Sequence, residues 1–249
     1  LNAFPGLTTA RATLRSLRIY YGDKSRAAAM DRLYGQFIKR GDLAFDVGAH
    51  VGDRVASFRR LGARVVAVEP QPALARLLKL MYGWRGVAVE RVAVGRNAGT
   101  ETMLINAANP TVSTASRDFV DAARDADGWK EQSWSGTLDV PMTTLDALIA
   151  KHGMPSFIKI DVEGYEAEAL QGLTRAVKAL SFEFTTIQRD VALACIERCK
   201  ALAFTRFNAA LGESQNFAHA EWVDTATIAA WLEALPHAAN SGDIYAARA

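Results

Sequence analysis

Two hydrophobic periods alternate along this chain. Short apolar runs, many rich in valine, occur at residues 43–45, 65–68, 87–94, 157–161, 182–185, 204–207 and 243–248. Between most of them, apolar residues recur every three to four positions, as Leu74, Leu77, Leu78 and Met81 do. Short runs with helical spacers predict strands buried on both faces and joined by crossover helices, an α/β sheet. Residues 8–40 predict two helices with Leu14, Leu17, Leu33, Phe37 and Ile38 turned inward. Further helices are predicted over 165–173, 191–202 and 225–235, and one that Thr143 and Thr144 cap ahead of Leu145 and Leu148.

Within residues 157–161 the alternation puts Ile158 and Ile160 on one face and Phe157, Lys159 and Asp161 on the other. A lysine in a central strand requires a carboxylate, and Asp161 or Glu183 would serve; a role for Lys159 at the substrate is the alternative. Residues 106–136 lack either period, carry Trp129 and Trp134 among small polar residues, and are expected to form a lid on the substrate side.

The rest is organised around residues 43–70, which read as strand, glycine-bounded turn, helix, strand. Gly48 and Gly52 permit a sharp turn and close approach of a ligand. Glu69 ends the second strand 23 positions after Asp46, where a carboxylate can accept both hydroxyls of a ribose. A dinucleotide turn needs glycines at its first, third and sixth positions, but counting from Gly48 those places hold Gly48, His50 and Asp53. Asp53 at a helix start also repels a pyrophosphate. The turn suits an adenosine compound with no phosphates and a cationic amino group, the profile of S-adenosylmethionine.

The stretch Asp46 to Gly52 (DVGAHVG), Glu69-Pro70, Thr144-Leu145-Asp146 and Ile160 to Glu166 (IDVEGYE) together resemble the FkbM family of class I, S-adenosylmethionine-dependent methyltransferases. The resemblance implies a Rossmann-like fold: a seven-stranded, mostly parallel sheet of order 3-2-1-4-5-7-6, its last strand antiparallel, with helices on both faces. It divides the chain into a helical cap, 1–41, and one methyltransferase domain, 42–249. The cofactor side would be Asp46, Gly48, Ala49, His50, Gly52, Glu69, Pro70, Ala93 and Asp161, with Asp46 either touching the cofactor or capping the turn. The resemblance also implies O-methylation of a hydroxyl on a small molecule, sugar or secondary metabolite.

A hydroxyl needs help to lose its proton, and Asp161, Glu163 and Glu183, with Lys159, are the catalytic candidates. The acids could bind a divalent cation, through Asp161 and Glu183, orient the acceptor or act as base; alternatively Asp161 and Glu163 neutralise Lys159 and cap a helix. His219 is a candidate for the acceptor pocket.

Half of the 249 residues are hydrophobic and the net charge is +2, so composition fits one large domain and offers no case for nucleic acid. Charge is uneven, because residues 1–40 carry eight Lys/Arg against two Asp, which fits a solvated helical face, an acidic partner or a lipid surface. No apolar run suits a membrane span, and Cys195 and Cys199, one helical turn apart, read as buried thiols in a cytoplasmic protein. Arginine outnumbers lysine 21 to 8, suggesting a GC-rich bacterial source. Two other classes stay open: an NAD-linked sugar-modifying enzyme, which the failed glycine pattern disfavours, and a non-catalytic cofactor-binding module. The sequence leaves the oligomeric state open.

Overall fold

The computed structural model describes residues 5–248, with side chains from Arg11 on. The first residues of the expected cap and Ala249 lie outside the described residues. In chain order the elements are α1 (Pro5–Tyr21), α2 (Lys24–Tyr34), β1 (Leu43–Val47), α3 (Asp53–Arg60), β2 (Arg64–Val68), α4 (Pro72–Tyr82), β3 (Val87–Glu90), β4 (Ala93–Val94), β5 (Gly99–Ile105), α5 (Arg117–Arg124), β6 (Gly136–Thr143), α6 (Leu145–His152), β7 (Phe157–Ile160), α7 (Glu166–Gln171), β8 (Ala179–Thr185), α8 (Arg189–Ala201), β9 (Arg206–Leu211), α9 (Thr225–Ala234) and β10 (Ser241–Ala247).

Seven strands form the main sheet in the order β3-β2-β1-β7-β8-β10-β9. Numbered by chain position within that sheet alone, the order is 3-2-1-4-5-7-6. β10 runs antiparallel to both neighbours, and β3, β2, β1, β7 and β8 are mutually parallel. All five residues of β1 are buried, because a central parallel strand is covered on both faces. Phe45, Val47, Ile158, Ile160 and Phe182 pack on one side with α6 to α9, while Ala44, Val65, Ala67 and Phe157 pack on the other with α2, α3 and α4. Helix starts follow their caps: Asp23, Ser116, Thr144 and Asp224 each accept backbone N–H groups of the first turn.

Two expectations need correction, and two strands went unpredicted. Leu14 is 66% exposed rather than inward, because α1 turns Ala12 and Ser16 to the body instead. The apolar run 87–94 is not one strand. It breaks after Glu90, and Ala93–Val94 leaves the main sheet to join a second sheet of order β4-β6-β5. Its antiparallel strands β5 and β6 register from Gly99 opposite Met142 to Ile105 opposite Gly136. Pattern missed both, since their half-exposed threonines and glutamate dilute the apolar alternation. Their pairing brings the two ends of segment 106–136 together, and that segment holds a 3₁₀ turn (Pro110–Val112), α5 and a cluster of Val112, Phe119 and Trp129.

Candidate active site

Glycine at position 48 is required by a contact within the protein. It sits at φ +86°, and a Cβ there would lie 1.7 Å from the carbonyl oxygen of Asp161, so the ends of β1 and β7 can meet only without a side chain. The Gly48 and Ala49 N–H groups donate to Val68 O at 2.9 and 3.0 Å, tying in the end of β2 as well. Gly52, at φ +83°, is held by bulk behind the turn, where a Cβ would strike Leu78 at 2.6 Å. It therefore shapes the turn without lining a cleft.

Two hollows meet at this turn. The first, about 560 Å³, is largely apolar and is lined by Val68, Pro70, Ala93, Val94 and Met103, with Glu69 among them. Glu69 is 3% exposed; its Oε2 accepts His50 N–H at 2.9 Å and its Oε1 accepts Gln71 N–H at 2.8 Å. Burial lifts its carboxyl to about 7, against the pull of those two bonds. Pro110, Thr111, Ser113 and Ala115 of segment 106–136 complete the wall.

The second hollow, about 530 Å³, is lined by Asp46, Asp53, Asp161, Glu163, Glu183 and Glu213 together with Arg54. Gly48, His50, Thr111, Asp161 and Glu163 belong to both hollows. Carboxylate oxygens of Asp161, Glu163 and Glu183 lie within 4.8 Å of one another. Lys159 stands behind them, 1% exposed, donating to Asp161 Oδ2 at 3.1 Å and to Asp243 Oδ1 at 2.6 Å. Sequence reasoning offered Asp161 or Glu183 as the partner of Lys159; the structure pairs it with Asp161 and with Asp243, which sits 84 residues away, and not with Glu183. Lys159 lines neither hollow.

Burial and neighbouring charge divide these acids. Burial pushes Asp161 up, but Lys159 and Arg54 outweigh it and hold the carboxyl below its ordinary range. Glu163 and Glu183 go well above theirs, through burial and the adjacent Asp161 charge. Asp46 rises to about 7, mainly by burial and then through Asp53, and its Oδ2 has no hydrogen-bond partner. Burial takes His50 down to about 4, so a neutral ring sits 3.3 Å from the Thr111 hydroxyl.

The far wall is an ion-pair ring absent from the sequence reading. Arg54 donates to Asp53 at 2.6 Å and to Glu213 at 3.0 Å, and Arg26 donates to the same two acids at 3.1 and 2.7 Å. The loop after β9 is thereby tied to α2 and α3. Burial would lift the Glu213 carboxyl, but the two arginines hold it at about 2. Tyr20 of α1 borders this hollow too. Asp53 was visible in sequence only as a helix-start acid; Glu213 had no local signal. His219, a candidate for the acceptor pocket, lines neither hollow and packs edge-on against Trp231 at 5.5 Å.

Comparison with known proteins bears on the family and the fold. The model of the methyltransferase FkbM domain matches residues 46–237. The hexuronic acid methyltransferase AglP of Haloferax volcanii is 24% identical over 186 residues, 73% of this chain and 72% of that protein. Among solved structures, a TehB-like S-adenosylmethionine-dependent methyltransferase from Corynebacterium glutamicum superposes with a TM-score of 0.51 at 12% identity, covering 99% of this chain and 100% of that one. With the family model spanning most of its length, the chain belongs to the FkbM-domain methyltransferases and is an enzyme that uses S-adenosylmethionine.

Proposed function

We propose that this enzyme methylates a hydroxyl oxygen of a saccharide, with the cofactor in the apolar hollow and the acceptor in the acidic one. The observation that carries the reading is the junction itself: Gly48, His50 and Asp161 border both hollows, so two ligands would meet there. The residues present fit S-adenosylmethionine. Glu69, at the end of β2, retains lone pairs for ribose hydroxyls, and Pro70, Ala93, Val94 and Met103 offer apolar surface for an adenine. Asp46, across the shared border in the acidic hollow and with one buried oxygen lacking a partner, suits the ammonium group of a cofactor whose amino-acid end reaches over the junction. The backbone of Ala49 and His50 completes that end, and segment 106–136 serves as the lid.

When bound, the cofactor supplies a methyl carbon on a positively charged sulfur, open to in-line attack. The acceptor oxygen forms the new bond to carbon as the carbon–sulfur bond breaks, and the hydroxyl proton must leave. Asp161, kept ionised by Lys159 and Arg54, holds the hydroxyl in place, and Glu183 takes the proton. Glu183 borders the acidic hollow beside Asp161, and its Oε2 is unpartnered. Lys159 acts through Asp161 as a positioning residue. The close set of three carboxylates also supports a divalent cation bound by Asp161 and Glu183, which would lower the pKa of the hydroxyl instead.

A saccharide acceptor draws support from the resemblance to a hexuronic acid methyltransferase. The test is release of S-adenosylhomocysteine on a panel of free and glycosidic sugars, run with and without EDTA. Turnover unaffected by the chelator supports the carboxylate base; turnover lost and restored by Mg²⁺ supports the cation. No turnover on any sugar, with turnover on a phenol or alcohol, would move the acceptor to another class.

A further inference from the structure

Seven large hydrophobic side chains are exposed among the described residues, and five of them cluster by element: Leu14, Ile19 and Tyr21 on α1, and Leu80 and Trp84 at the end of α4. The two helix ends touch, since the Tyr21 and Tyr82 hydroxyls lie 2.6 Å apart. Neither helix contains an acidic residue. Arg11, Arg15, Arg18, Arg76, Lys79 and Arg85 are all exposed, and among the described residues none of the six forms an ion pair. The Arg85 guanidinium lies 4.2 Å over the Trp84 ring.

At about 100° per residue, Arg11, Arg15 and Arg18 form a row along α1, flanked by Leu14 on one edge and Ile19 on the other, with Arg15 at the border to segment 106–136. A folded protein seldom leaves unpaired cations and large apolar groups together in water. A helix lying flat on a bilayer uses both: arginines reach the phosphates along their apolar stems while leucine, isoleucine and tryptophan enter the acyl boundary. This also accounts for the surplus of positive charge in residues 1–40. An acidic protein would satisfy the arginines and leave Leu80 and Trp84 wet.

We infer that α1 and the end of α4 form a docking surface for an anionic phospholipid bilayer. Docking there sets the active site at the membrane surface. On its inner side α1 carries Tyr20 at the acidic hollow, and Arg15 donates to Ala108 O at 3.0 Å, beside the Pro110–Val112 turn of the apolar one. The docking itself is independent of which acceptor is methylated.

The experiment is co-sedimentation of the full chain with phosphatidylcholine vesicles, with and without phosphatidylglycerol. Binding is expected only with phosphatidylglycerol and should weaken as salt is raised. Arg11→Ala, Arg15→Ala and Arg18→Ala combined should weaken it about tenfold or more. Leu14→Ser with Ile19→Ser should also weaken it, and a blue shift of tryptophan emission on binding should vanish in Trp84→Phe. All these side chains are exposed, and unchanged melting temperatures would show that the variants fold. Equal binding to both vesicle types, binding to neither, equally tight binding to polyglutamate, or a dimer that masks α1 would each overturn the proposal.

Discussion

The two hollows at the turn share a border and are opposite in chemistry. One is walled largely by apolar side chains from β2, β4 and β5, and the acid that belongs to it alone, Glu69, is held by two backbone N–H groups. The other is walled by six acids and an arginine drawn from β1, α3, the ends of β7 and β8, and the loop after β9. The first is built by packing; the second is built by charged groups, several of them paired. Glu69 shows the difference, since both its oxygens are held by backbone N–H groups, whereas Glu183 lies beside Asp161 and Glu163 with its Oε2 unpartnered.

The largest expected effect tests whether paired charge builds the acidic side. Asp243→Ala strips Lys159 of its shorter contact and leaves a buried cation with Asp161 alone; stability should fall by about 3 kcal/mol or more, measured by urea unfolding. Replacement by Asn, which still accepts a hydrogen bond, should cost less. An alanine variant as stable as the parent would mean that Lys159 does not organise this hollow.

Next in size is Asp161→Asn, which should lower methyl transfer by about 10² or more while leaving cofactor affinity within a few-fold. Loss of both together would show that the hollows are not separable in function. On the apolar side, Glu69→Ala should weaken S-adenosylhomocysteine binding by about tenfold, the loss of a charge-assisted pair of hydrogen bonds, as measured by calorimetry. NAD should not bind at all, and its binding would reopen the dinucleotide reading.

A further test concerns pH dependence. Asp46 and Glu69 have folded pKa values of about 7, raised from ordinary values of 3.8 and 4.5. The folded state thus holds protons that the unfolded chain has lost, and the stability they confer is full below about pH 4 and falls away as pH rises through about 7. Thermal melts of the ligand-free protein should therefore decline across that window. Asp46→Asn should flatten the decline in part; no change would mean that Asp46 does not titrate there.

Much of the fold was legible because its signals are local. A valine-rich run, a glycine turn and an amphipathic spacer each declare themselves within a few residues, and the acids that end β1, β2, β7 and β8 stand out against apolar neighbours. Less legible were β5 and β6, whose half-exposed faces carry a mixed pattern, and the break after Glu90, where an apolar run serves two sheets.

By itself the sequence determined that a strand–turn–helix–strand unit would present Asp46, Gly48 and Glu69 together, since their spacing is set by one continuous stretch of backbone. It also determined that Lys159 would need a carboxylate, since a buried ammonium must be paired. Which carboxylate was decided by tertiary structure. Inserting β10 antiparallel between β8 and β9 sets Asp243 opposite Glu183 and within reach of Lys159, and folding the loop after β9 back sets Glu213 against Arg26 and Arg54. Those long-range pairings settle which acids keep a charge, because a pKa answers to every charge packed around the group and not to its neighbours in the chain.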